Sequence, residues 1–166
     1  MSLIKNIYLS LINWRWELGI SEDSLSEFVE NGKELHFHWV KLPFKGRWFA
    51  DPFILDYNED EIIILVEEYS DKIKKGRIGK VVVDRKTFTF KNWKLLLELP
   101  THLSFPAIIR RNGKVYIYPE NSASGGLHIY EYNPKDDSLC KIQTLLDKPV
   151  TDSLYTELFG EKQLFC

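Results

Sequence analysis

Trp48-Phe49-Ala50-Asp51-Pro52-Phe53-Ile54-Leu55, entered through Leu42-Pro43, decides the fold, because the chain writes this stretch twice more. The second copy is Leu99-Pro100 running into Ser104-Phe105-Pro106-Ala107-Ile108-Ile109. The third is Lys148-Pro149 running into Thr151-Asp152-Ser153-Leu154-Tyr155. A period of roughly fifty residues signals supersecondary units that bury their apolar faces only against one another. The units are built of strands, so the chain is expected to be all-β, a β-propeller with one repeat per blade. A propeller gathers the first residues of its inner strands around a central channel. Asp51 and Asp152 hold that place in two of the three repeats.

Each repeat fills out as a run of strands. Phe49 to Leu55 is followed by the polar turn Asp56-Tyr57-Asn58-Glu59-Asp60 and then by Glu61 to Tyr69. Ile62-Ile63-Ile64-Leu65-Val66 is apolar on both faces, which predicts burial between blades. Gly79 to Asp84 and Lys94 to Leu99 complete a four-stranded antiparallel unit. Phe105 to Ile109 opens the next, with Asn112-Gly113 as a hairpin turn. Val115 to Pro119, Leu127 to Tyr132 and Lys141 to Leu146 follow. Each unit closes on a Leu-rich strand and a Pro, which cannot donate to a ladder. Ahead of the repeats, Leu11 to Ile20 and the alternating Glu34 to Leu42 read as strands. Between them Ser24 to Asn31 reads as a short helix, with Asp23 or Ser24 as N-cap and Gly32 as its stop.

The whole chain, 1–166, is then one propeller-type domain. Residues 1–42 give N-terminal strands and a helix, 43–99 a blade, 100–148 a second blade, and 149–166 the start of a further, incomplete one. Closed propellers have about four to eight blades, so this is roughly half of one. A missing C-terminal half, or self-association of two copies, is expected to cover the open edges.

The chain has 166 residues, 44% hydrophobic and 14% aromatic, enough to fill a core. Its 22 basic and 24 acidic residues leave a net charge of -2, which argues against nucleic acid as a partner. Lys72 to Lys80 is read as a solvated turn. No segment is apolar for long enough to span a membrane. Leu3 to Ile12 is broken by Lys5-Asn6 with no small-residue cleavage site after it, so no signal peptide is expected. Cys140 and Cys166 are too few for a disulfide framework and read as free thiols of a reducing compartment, the cytoplasm.

Asp51 is a candidate general base or acceptor for sugar hydroxyls; the alternative is an Asp capping its own turn before Pro52. Glu67 and Glu120 end the second strands of successive blades, in Leu65-Val66-Glu67-Glu68 and Tyr118-Pro119-Glu120-Asn121. Placed near the channel they suit acid/base chemistry or sugar binding. Arg47, Trp48 and His102 lie in the loops that enter the inner strands, and Trp48 is suited to stack on a pyranose face. Asn121 extends the Glu120 site. His36 and His38 share a strand face without a third ligand, so no metal is expected. Ser124-Gly125-Gly126 lacks the Lys and helix of a phosphate loop and is a turn. No cofactor is expected.

Trp48-Phe49-Ala50-Asp51-Pro52-Phe53, with Glu67-Glu68 behind it and Ser104-Phe105-Pro106 through Tyr118-Pro119-Glu120-Asn121-Ser122 in the next repeat, resembles a known family. It is similar to the propeller domain found N-terminal in glucosamine inositolphosphorylceramide transferases and in bacterial formyl-transferase-like proteins. That domain is similar in turn to the five-bladed furanosidase propellers of glycoside hydrolase families 43 and 32. The resemblance runs from Trp14 to the end. It implies that Asp51 matches the first-blade Asp those hydrolases use as base or nucleophile, and Asp152 the third-blade Asp that tunes the acid. The general acid of that group is a Glu of a fourth blade, which this chain does not contain; Glu120 is the local substitute. In the transferases the transfer chemistry lies in another domain. The expected function is therefore a carbohydrate- or glycolipid-binding module of bacterial cell-surface glycan metabolism. A furanosidase-like glycoside hydrolase and a module that docks a partner domain are the alternatives.

Overall fold

The computed structural model describes residues 15–158 and 160–166. Twelve strands and one α-helix follow in order: β1 (Leu18–Ile20), α1 (Leu25–Asn31), β2 (His38–Val40), β3 (Arg47–Tyr57), β4 (Glu61–Ser70), β5 (Lys75–Asp84), β6 (Phe90–Leu97), β7 (Ser104–Arg111), β8 (Lys114–Glu120), β9 (Leu127–Asn133), β10 (Ser138–Leu146), β11 (Leu154–Leu158) and β12 (Glu161–Phe165). The described chain is all-β apart from α1 and a single 3₁₀ turn, Ser122–Ser124. Strands β3-β4-β5-β6 form one four-stranded sheet and β7-β8-β9-β10 another. Every neighbouring pair is antiparallel. Both sheets are meanders with the form of propeller blades. Two-stranded sheets, β1-β2 and β11-β12, flank them.

Three apolar cores stack these sheets in sequence order. Leu18 and Val40 of the first pair pack with Phe49, Ile64, Val66, Val81 and Val83 of blade one. Leu55 and Leu65 of blade one pack with Ile117 of blade two. Ala107, Tyr118, Leu127 and Ile129 of blade two meet Tyr155 and Leu164 of the last pair. Successive β4 residues therefore serve opposite cores: Ile64 and Val66 look back, Leu65 looks forward. The apolar run on β4 is buried on both faces, as its composition requires.

The local signals are mostly where the sequence puts them. Ser24 caps α1, its hydroxyl accepting the Glu27 N–H at 3.3 Å. Gly32 ends the helix at a φ of 65°. Asn112 and Gly113, with φ of 53° and 71°, make the β7–β8 turn.

Three readings need correction. The strand expected over Glu34 to Leu42 is only His38–Val40, because Asp23 holds the preceding residues out of the ladder. Its carboxylate accepts the His36 N–H at 2.5 Å and contacts His36 Nδ1 at 3.0 Å. His36 thus lies outside the strand, and His38 stacks on Phe88 at 4.1 Å, so the two do not form a pair. The segment Lys72 to Lys80 is a turn only as far as Lys74. From Lys75 it is β5, where Arg77 and Lys80 are drawn inward by ion pairs with Glu68 and Asp137. Of the described part of the strand expected over Leu11 to Ile20, only Leu18–Ile20 is one. Its first four residues, like the stretch Leu3 to Ile12, lie outside the described residues.

Candidate acidic site between the blades

The repeated stretch carries a repeated backbone distortion. Ala50 pairs with Glu67 and Phe53 with Leu65, so Asp51-Pro52 is a bulge. Ser104 pairs with Glu120 and Ala107 with Tyr118, so Phe105-Pro106 is another at the same place. Asp51, Phe105 and Asp152 all take left-handed backbone, with φ of 49°, 44° and 52°. Non-glycine residues in that region cost on the order of 1–3 kcal/mol each and persist only where the surroundings fix them.

Two of the three, Phe105 and Asp152, are held by a carboxylate from the unit before. Asp51 Oδ2 accepts the Phe105 N–H at 3.0 Å. Glu120 Oε2 accepts the Asp152 N–H at 2.9 Å. Beside the second contact, the Tyr118 hydroxyl accepts the Tyr155 N–H at 3.1 Å. The sheet heads are thereby tied from blade one to blade two and from blade two to β11-β12.

Glu67 and Glu68 lie side by side on β4 and point to opposite faces. Glu68 looks back and is wholly buried. It is neutralised by Arg77 at 2.7 Å and Arg47 at 3.3 Å. Arg47 also packs its guanidinium over Phe44 and Trp93. Glu67 looks forward, 5% exposed, towards blade two. No lysine or arginine among the described residues forms an ion pair with it. Burial, with the Asp51 carboxylate in hydrogen-bonding reach and Glu120 beyond, pushes the Glu67 carboxyl up to about 8. At neutral pH Glu67 carries a proton.

His102 closes one side. Its Nδ1 accepts the Gly76 N–H at 2.9 Å, which assigns the proton of the neutral ring to Nε2. That Nε2 lies 3.3 Å from Glu67 Oε1, outside hydrogen-bond geometry, and Oε1 is left without a hydrogen bond. The loop runs so close to β5 that Gly76 has no room for a Cβ. One would press on the Leu103 carbonyl, Glu67 Oε1 and His102 Cε1. Next to His102 stands Tyr69, with 6.3 Å between ring centroids, and Trp48 stacks on Tyr69 at 4.6 Å and 9°. Glu67, Tyr69 and their partners Ala50 and Trp48 share one face of the sheet.

The structure brings together Asp51, Glu67, Glu120 and His102, with Trp48 as an adjoining wall. Asp152 joins through its backbone, and its side chain is exposed. Arg47 is not part of the group; it serves Glu68 on the other face. Asn121 is 3% exposed, with no hydrogen bond to its amide nitrogen or oxygen. Two residues of the site, Tyr69 and Gly76, were not singled out from sequence. Tyr69 falls on the Glu67 face by the period of two. Gly76 sits opposite it in register, a relation visible only once β4 and β5 are aligned. No three of the described His, Cys, Asp and Glu side chains converge to hold a metal ion.

The fold and site define a β-sheet repeat module with carboxyl groups collected at the blade heads. The profile of the family "Glucosamine inositolphosphorylceramide transferase 1, N-terminal" matches residues 38–166, and the chain belongs to that family. It is 30% identical over 108 residues to Glucosamine inositolphosphorylceramide transferase 1 of Arabidopsis thaliana, covering 65% of this chain and 14% of that protein. It is 28% identical over 127 residues to the protein of the same name from Oryza sativa subsp. japonica, covering 74% and 16%. The matched region is therefore a small part of those relatives, all of the transfer-enzyme name. No solved structure matches the chain. Among the described residues, no helix is long and apolar enough to cross a membrane.

Proposed function

We propose that the chain is a carbohydrate- or glycolipid-head-group-binding module, a furanosidase-like propeller segment that takes its ligand at the Asp51–Glu67–Glu120 cluster. The observation that carries the reading is the protonated Glu67 beside the Asp51 carboxylate. A sugar hydroxyl both donates and accepts, and this pair offers one group of each kind within a single patch. The Trp48–Tyr69 stack and the His102 ring supply apolar surface beside it, as a pyranose or furanose face requires. The relatives' name, a transferase of a glycolipid, accords with a sugar-bearing ligand. The relatives are plant proteins and give no support to a bacterial setting.

Hydrolysis is the weaker reading. Glycosidases hold two carboxyl groups about 5–9.5 Å apart to flank the scissile bond. The hydrolase alternative pairs Asp51 with Glu120, and one oxygen of each is already engaged by a backbone N–H, that of Phe105 and that of Asp152. The test is a thermal-shift series against furanosides and pyranosides with the native chain and with Asp51→Asn. A ligand that raises the melting temperature of the native chain and not of the variant supports a glycan site at Asp51. If no sugar moves the native chain, the reading fails and the module is a scaffold. Turnover of the bound sugar would instead establish the hydrolase.

A further inference from the structure

Aligned on the left-handed residues Asp51, Phe105 and Asp152, the three repeats obey one packing rule. Each inner hairpin carries two neighbouring cross-strand pairs, which point to opposite faces. They are Phe53–Leu65 and Ile54–Ile64 in blade one, Ala107–Tyr118 and Ile108–Ile117 in blade two, and Leu154–Phe165 and Tyr155–Leu164 in β11-β12. The first pair of each unit packs on the second pair of the next. Phe53 and Leu65 share the middle core with Ile108 and Ile117. Ala107 and Tyr118 share the last core with Tyr155 and Leu164. Two pairs are left over. Leu154 and Phe165 are both exposed, and at the other end of the row so is Ile54, the partner of Ile64.

The two-stranded sheets are complementary halves of one unit. Six residues separate β2 from β3 and six separate β6 from β7, with Leu42-Pro43 and Leu99-Pro100 in matching places. β2 therefore stands where the outermost strand of a blade stands, and β1 is the strand inside it. β11 and β12 are the two inner strands of theirs. Among the described residues, β1 pairs only with β2 and β12 only with β11. Beside β1 runs an apolar groove of about 510 Å³, lined by Pro52, Ile54, Ile62 and Ile64 of blade one. Leu18 and Ile64 on its walls belong to the first core, so the groove continues an interface already built between sheets. Beside β11-β12 a second groove, about 360 Å³, is lined by Tyr116, Ile142, Leu145 and Tyr155. Each groove lies where the strand pair of the other end would complete a blade.

We propose that two copies of the chain join head to tail in a closed ring, the β11-β12 pair of each filling the groove beside β1 of the other. Leu154 and Phe165 then meet Ile54 and Ile64 of the other copy, as Phe53 and Leu65 meet Ile108 and Ile117 within one chain. The exposed Trp39 of β2 turns to the second groove. Both junctions cover strand edges that invite pairing with another chain. A head-to-tail contact closes only where the rotation allows it. Two whole blades in each copy and one composite blade at each of two junctions make six, inside the range of about four to eight for closed propellers. A ring of three copies would exceed that range. The ring of two sets Asp51 of both copies around one central channel.

The test is sedimentation equilibrium of the native chain, of Ile54→Glu, of Leu154→Glu, and of the two variants mixed. The native chain should have twice the 19.6 kDa of one copy. Each variant alone should associate at least about tenfold more weakly. The mixture should recover part of the dimer, because Ile54→Glu keeps a sound β11-β12 end and Leu154→Glu keeps a sound groove. Circular dichroism checks each fold, and Trp39→Glu or Phe165→Glu replaces a variant that does not fold. A native chain that stays monomeric would overturn the inference and leave both ends to a different partner. A dimer kept by both variants would overturn it as well. Loss in each variant without recovery in the mixture would mean a symmetric contact, and assemblies that lengthen with concentration would mean an open chain; either result overturns the ring.

Discussion

On β4 the carboxylate of Glu68 meets Arg77 at 2.7 Å and Arg47 at 3.3 Å, while one residue away Glu67 faces acids. Removing one partner of a buried ion pair strands the other. Arg77→Ala should therefore lower stability by about 3 kcal/mol in urea unfolding, although Arg77 touches nothing in the candidate site. Glu67 has the opposite signature. Its folded carboxyl titrates at about 8, against an ordinary value of 4.5. Between those values the folded state keeps a proton that the unfolded state has lost, so stability falls as pH rises through that window and levels off above 8. The fall should be on the order of 2–3 kcal/mol after allowance for screening, and Glu67→Gln should flatten it. Urea midpoints measured from pH 5 to 9 read both outcomes. Asp51, Glu67 and Glu120 were legible in the sequence because the repeat aligns them. The protonation of Glu67 was not, since burial against blade two produces it. Arg47 was misplaced for a similar reason: its partner Glu68 lies across the β3–β4 hairpin, where only register shows it.

The inner strands β3 and β7 each carry a bulge whose first residue is left-handed, and Asp152 repeats that backbone ahead of β11. Asp152 is exposed and contributes its backbone N–H to Glu120, which glycine would retain. Asp152→Gly should accordingly be neutral or stabilising by about 0.5–1 kcal/mol, read as a melting-temperature change. Gly76→Ala is the contrary case. With no room beside Leu103 and His102 it should cost about 1–3 kcal/mol, and should change the His102 imidazole resonances seen by NMR. Hairpin turns and the helix caps were readable because Asn-Gly, Ser and Gly act locally. The extent of β5 was hidden by Lys74-Lys75, charges that suit a turn. Side-chain partners on other strands, Glu68 and Asp137, carry that stretch into the sheet.

Across the whole molecule the three cores interleave, each shared by consecutive sheets. Leu65 of blade one and Ile117 of blade two are both fully buried in the middle core. Each to Ala should cost about 2–5 kcal/mol. Because both line one core, the double variant should fall short of the sum by at least about 0.5 kcal/mol, as a denaturation cycle would show. The repeat made the order of sheets readable, and its third copy announced the last pair. Which faces of β1-β2 turn inward was not readable: Val40 is buried and Trp39 is exposed, although both are apolar. The carboxylate ties described at the blade heads have one further property. In both, the acceptor belongs to the earlier unit and the strained backbone to the later one. A ribosome delivers residues in that same order, so a finished unit stands ready as the mould in which the entry of its successor is cast. Assembly of the array then has an arrow, from N-terminus to C-terminus.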